Sequence, residues 1–171
     1  GVASLPRTVV HVGAGASAHI VEHFTGSDDA VYLMNRVTEA VLEENAMLEL
    51  STLQEDGRKA FHINTTAVRL MGGASFTNHA LSIGAAIARN DINTWFTAPN
   101  ANATLNGLYI GSGRQHVDFH TRTYHDAPDC TSKQHYKGIL DGHGRGVFNG
   151  QVHVAVDAQR SDAEQANHNL L

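Results

Sequence analysis

Apolar and polar residues alternate along most of this chain, in short runs separated by glycine, proline or asparagine. Near the start, Thr8, Val10 and Val12 share one parity and Val9 and His11 the other, ahead of the turn signal Gly13-Ala14-Gly15. Ala18 to Phe24 sets Ile20 and Phe24 on one face with Glu22 between them, and Gly26 to Asp29 breaks the run. Val31 to Met34 is continuously apolar, as a strand covered on both sides would be. Further on, Phe61, Ile63 and Ala67 share one parity and His62, Asn64 and Thr66 the other; Phe148, Val152, Val154 and Val156 point one way, with Asn149, Gln151 and His153 opposite. The apolar parity of each run is expected to face inward. The clearest runs, Leu105 to Ile110, His116 to His125 and Thr131 to Leu140, are rich in β-branched and aromatic residues and lie between glycine- or proline-bearing turns.

One segment argues against itself. From Met34 to Leu50, Val37, Ala40 and Val41 with Glu39, Glu43 and Glu44 opposite form an amphipathic helical pattern. Spacing overrides it. Runs begin near Ala46, Ala60, Ala74, Ile87, Ala101, His116, Thr131 and Gly146, a period of roughly 13 to 15 residues, and a fixed period is the signature of a solenoid. Two such halves give about 28 residues per coil, which suits a flattened parallel β-helix. Ala46, Ala60, Ala74, Ala101 and Ala103 supply small residues where coil stacks on coil. The expectation is an all-β, right-handed parallel β-helix with few or no helices, a single domain over residues 1–171. Asp157 to Asn169 has helical propensity but is expected to continue the ladder as strand and turn.

Composition narrows the function. Lys and Arg number 12 against 17 Asp and Glu, a net charge of −5, which offers no general attraction to nucleic acid or an anionic bilayer. There is no long apolar span and no basic-then-apolar leader pattern, so the protein is read as soluble and cytoplasmic. A lone cysteine, Cys130, excludes an intrachain disulfide. Both ends read as cut, as in a fragment.

Several short motifs in one order extend across nearly the whole chain. They are PRT (Pro6 to Thr8), VEHF (Val21 to Phe24), VLEENA (Val41 to Ala46), LNGLY (Leu105 to Tyr109), QHVD (Gln115 to Asp118), HT (His120, Thr121) and CTS (Cys130 to Ser132). After them come YKGILDG (Tyr136 to Gly142), RGVFNG (Arg145 to Gly150), DAQ (Asp157 to Gln159) and QANHNLL (Gln165 to Leu171). Together they resemble the core domain of the SufB/SufD family, the SufD branch more closely than SufB. The resemblance implies a β-helical core and a scaffold role in iron-sulfur cluster assembly, without enzymatic activity of its own. It also implies two partners: a SufB-like subunit lying side by side with the β-helix, and a SufC-like ATPase docking on helices outside this core. The family handles nascent clusters, and its SufD motif for that site, a Cys-Ser-His-Gly segment, follows the Asn-Leu-Leu stretch. No cluster-site residue is therefore carried over, and no cofactor is expected to be bound by this fragment. Open solenoid ends suggest a homodimer of the fragment.

His116, Asp118 and His120 fall on one face of a strand and are either a first shell for iron or zinc or solvent-facing residues outside an inner row of Val117, Phe119 and Thr121; the latter reading is preferred. His125, His135, His143 and His153 form either a stacked ladder or scattered surface groups. Cys130 provides one thiolate where a cluster normally takes about four, and reads as a half-buried small residue in a turn. Lys137 reads as solvated. The Gly-x-Gly pairs at Gly13, Gly111, Gly142 and Gly144 lack the strand-to-helix setting of a nucleotide loop. No catalytic, cofactor-binding or metal-ligating residue is assigned. The alternatives are a β-helical carbohydrate-active enzyme or sugar-binding module, for which Asp118, Asp126, Asp129 and Asp141 are the only acidic concentration, and a histidine-rich metal store.

Overall fold

The computed structural model describes residues 1–171 and contains strands and turns but no helix. In chain order the strands are β1 (Val2–Ser4), β2 (Arg7–Val12), β3 (Ser17–Thr25), β4 (Tyr32–Leu42), β5 (Met47–Glu55), β6 (Phe61–Leu70) and β7 (Ser75–Ser82). They continue as β8 (Ile87–Phe96), β9 (Asn102–Gly111), β10 (His116–His125), β11 (Thr131–Leu140), β12 (Arg145–Val154) and β13 (Asp162–Leu170). Even-numbered strands from β4 to β12, with β1 and β2 at the edge, form one parallel sheet, and odd-numbered strands from β3 to β13 form the other. The chain alternates between the two sheets, so each coil is one strand of each, and the architecture is the expected β-helix. β1 and β2 are one edge strand interrupted at Leu5-Pro6, where proline has no N–H to give the ladder.

Coil-to-coil register is tight in the strands and variable at the corners. Phe61 pairs with Ile87 and Thr131 with Asp162, offsets of 26 and 31 residues at the two extremes. The corners themselves repeat. Gly15, Asn45, Gly73, Asn100, Asp129 and Arg160 all take positive φ at the turn leading from the first sheet to the second. Amide N–H groups of this column donate to the turn above, as from Gly15 to Glu44 O and from Asn45 to Gly72 O. Ala46, Ala74, Ala101 and Ala103 are buried beside this column and Ala60 at the opposite corner, as expected of small stacking residues.

The helical pattern at Met34 to Leu50 gives way to β4 and β5, because in-register pairing on both sides and an alternating buried set outweigh local propensity. Strand onsets fall within a residue of those read from spacing, and β13 continues the ladder through the Ala- and Gln-rich tail.

Three expectations need correction. In β6 the inward parity is His62, Asn64, Thr66, Val68 and Leu70, with Phe61 39% exposed on the outer face. Val68 and Leu70 share that parity and are fully buried, and a strand cannot present both sets inward. Val31 to Met34 is not covered on both sides, since Val31 precedes β4 and is exposed while the next three are half-buried. In the last coil Phe148 and Val152 face inward and are half-buried, whereas Val154 is largely exposed and Val156 stands in a turn at 88% exposure.

The interior changes character along the axis. Leu42, Leu70 and Phe96 stack in register at one corner, opposite Leu48, Phe76 and Ala103. Toward the other corner the early coils are polar inside: Arg36, Gln54, His62, Asn64, Asn78, Ser82 and Asn90 are all buried. In later coils the same region is aromatic, with Tyr109, Phe119, Tyr136 and Phe148 in a chain of ring contacts at 5.7, 5.4 and 4.5 Å between centroids. Tyr136 pairs with Gly107 and Gly138 with Tyr109 on β9 and β11. Each ring lies over the partner strand's glycine, and a Cβ on either glycine would run into the facing ring. The LNGLY and YKG motifs are the two halves of this exchange.

Candidate functional site

β10 carries the first candidate. Val117, Phe119 and Thr121 are buried in the core, so His116, Asp118 and His120 share the outer face. Asp118 is already engaged. Arg89 Nη1 donates to its Oδ2 at 2.9 Å, and His120 Nε2 approaches Oδ1 at 2.8 Å, a contact more electrostatic than directional. Arg89 also forks onto Asp91, Nε to Oδ2 at 2.8 Å and Nη2 to Oδ1 at 3.0 Å. Hydrogen bonding to Asp91 raises the guanidinium pKa. These four residues form one polar knot across β8 and β10, and His116 lies outside it, against Arg145 on β12. No group of three His, Cys, Asp or Glu side chains has metal-binding geometry.

The remaining histidines disperse. His125 is buried, edge-on to Phe96 at 4.6 Å, with Nε2 3.0 Å from Ser132 Oγ, and burial lowers its pKa. His135 faces out from β11, His143 sits in a turn, and His153 lies on the outer face of β12 near Tyr124. They form no ladder. His11 and His23 instead meet Glu43 and Glu55 of the next coil at 3.0 and 2.6 Å.

Cys130 follows Asp129 at the corner and is fully buried, its Sγ donating to Pro128 O at 3.4 Å and Ala98 O at 3.5 Å. Burial pushes the thiol pKa up, the opposite of what a thiolate ligand needs. The acidic concentration disperses as well: Asp118 is held by Arg89 and Asp129 by Arg160, while Asp126 and Asp141 sit at opposite corners. A pair of facing carboxylates, which glycoside hydrolysis uses, does not assemble there.

Sequence reasoning missed the buried knot around Asp56. His62 Nδ1 lies 2.7 Å from the carboxylate, Gln54 Nε2 donates at 2.9 Å and the Tyr32 hydroxyl at 2.8 Å. Burial pushes this carboxyl up, but the donors from His62, Gln54 and Tyr32 outweigh it and hold its pKa below the usual value. Gln54 Oε1 in turn accepts from Ser82 Oγ at 2.7 Å, so the knot ties four strands. Arg36, paired with Glu22 at 2.6 Å and lying over the Phe24 ring, extends it. Its one sequence signal was the polar parity of His62 and Asn64, which was assigned to the wrong face.

The outer face of the odd-numbered sheet carries an open groove of about 500 Å³. Leu53, Leu81 and Leu108 stack along one wall, with Ser51, His79, Asn106 and His135 along the other and Lys137 at its end. Lys137 is exposed, as expected. An apolar column on a solvent face suits a protein partner better than catalysis.

The family model described as "SUF system FeS cluster assembly, SufBD core domain" matches residues 1–171. Protein ABCI7, chloroplastic, of Arabidopsis thaliana is 32% identical over 98% of this chain and 36% of its own length. The iron-sulfur cluster assembly protein SufD of Escherichia coli is 29% identical over 96% of this chain and 39% of its own length. A SufBD family iron-sulfur cluster assembly protein of Synechocystis is 30% identical over 97% of this chain and 38% of its own. The chain thus spans well under half the length of these relatives.

Proposed function

This chain belongs to the SufBD core-domain family of iron-sulfur cluster assembly proteins, and from that premise we propose that it is a scaffold subunit of a SufBCD-type complex. In this reading it performs no chemistry itself and positions other subunits. The observation that carries it is the unbroken family match over a fold made entirely of stacked coils. The partner is a SufB-like subunit lying beside the β-helix, and the leucine column of the odd-numbered sheet supports such a contact. A SufC-like ATPase joins through helices outside these residues, and the setting is cytoplasmic. Cluster is cargo of the assembly, and the buried, protonated Cys130 supports the view that this segment is not where it is held.

Co-purification tests the reading. The chain should retain a SufB-like subunit and not a SufC-like ATPase; failure to retain the former, or tight binding of the latter alone, overturns it. Thiol labelling tests the role of Cys130, which should stay unmodified in the folded protein and react once in denaturant.

A further inference from the structure

The turn before β10 and the turn before β12 stack with a constant offset, since His116 pairs with Arg145 and the His143 N–H donates to Gly113 O at 2.9 Å. This register sets Arg114 over His143 and His116 over Arg145. Two arginines and two histidines thereby form a block on adjacent coils, spaced by the ~4.8 Å of a parallel ladder. They line a cavity of about 680 Å³ whose remaining wall is Ala86 and Ile87.

Three features make this more than a patch of surface charge. Arg7, Arg36, Arg89 and Arg160 each hold a carboxylate, but no ion pair reaches Arg114, His116, His143 or Arg145. Asp118 is committed to Arg89 and His120, and Asp141, in the same turn as His143, does not line the cavity. The block is therefore cationic and unpaired in a chain whose net charge is −5. Finally, the turn that carries Arg114 is tied down: Gln115 Oε1 accepts from Ser112 N at 3.0 Å and Ser112 Oγ at 3.1 Å, while its Nε2 donates to Ala85 O at 3.0 Å. The backbone from which the Arg114 side chain extends is therefore fixed before an anion arrives.

We propose that this cavity binds the phosphoryl group of a small molecule whose apolar portion rests on Ala86 and Ile87. Guanidinium forks match pairs of phosphoryl oxygens, and the two imidazoles line the same cavity as further donors. A carboxylate offers two oxygens, too few to meet four donors at once, which sets the preference. The proposal is independent of the scaffold reading, because none of these residues, at the corner where β8, β10 and β12 begin, lines the leucine groove.

Titration calorimetry on the chain, using inorganic phosphate, phenyl phosphate and benzoate, tests it. Phosphate should bind saturably, phenyl phosphate more tightly and benzoate weakest. The Arg114→Gln and Arg145→Gln variants, exposed and outside the core, should keep the circular dichroism of the parent and each weaken phenyl phosphate at least ~tenfold. Lys133→Gln, an exposed cation on the other sheet, should change nothing. Absence of saturable binding, benzoate matching phenyl phosphate, or equal loss in Lys133→Gln overturns the proposal.

Discussion

Tyr136 is buried against Phe119 and Phe148, and its hydroxyl has no partner. Burial raises its pKa well above the phenolic range, so it stays neutral at any working pH. An unsatisfied donor in a dry site is a cost, and Tyr136→Phe is expected to raise stability by about 1 kcal/mol, seen as a higher melting temperature. His125 gives a pH signature. Burial lowers its folded pKa below the ordinary ~6.5, so below that value the unfolded chain binds the extra proton and stability falls as pH falls; above it the effect vanishes. Denaturant unfolding between pH 5 and pH 7, compared with His125→Asn, should show a shallower slope in the variant. Asp56 is shifted in the same direction by a different cause, hydrogen bonds that outweigh burial. Its stabilising contribution is present above the unfolded carboxylate pKa of ~3.9 and is lost as pH drops through the depressed folded value.

At the scale of strands, the pairing of β9 with β11 depends on glycine and tyrosine exchanging places across one ladder step. Gly107→Ala is expected to cost about 1–3 kcal/mol, because the new methyl group must displace the Tyr136 ring; chemical denaturation would measure it. The same strands show what sequence could and could not reveal. Alternation plus a regular recurrence located nearly every strand, since parity and period are properties of the chain alone. The face that each strand turns inward was legible where apolar residues filled one parity, as with Val10 and Val12. It was misread in β6 because the buried polar side chains there find partners off their own strand, His62 on Asp56 in the preceding turn and Asn64 on Asn90 in the next coil. Cross-coil pairing decides such cases, and a single sequence does not display it. The cationic cavity was hidden for the same reason: Arg114 and His143 look unrelated until register stacks them.

For the whole molecule, stability is a sum of coils and their contacts with neighbours, and those contacts are uneven. The strands β6 to β11 contain most of the fully buried residues, whereas β1 to β3 and β13 are largely exposed. Hydrogen exchange read by mass spectrometry should therefore show the slowest amides in β6 to β11, with both outer coils opening first. Uniform protection from end to end would contradict this gradient. The column of positive-φ residues at one corner has a further consequence. The next strand begins at the same spacing after each residue of that column, while the stretch before it varies and takes up part of the spread in coil circumference. A single residue added within β8 would invert its facing and strand Phe96 in water, yet the same residue added beside Asn100 would be harmless. Natural drift in this lineage should thus collect its gains and losses at the rim of the stack and leave the rungs untouched.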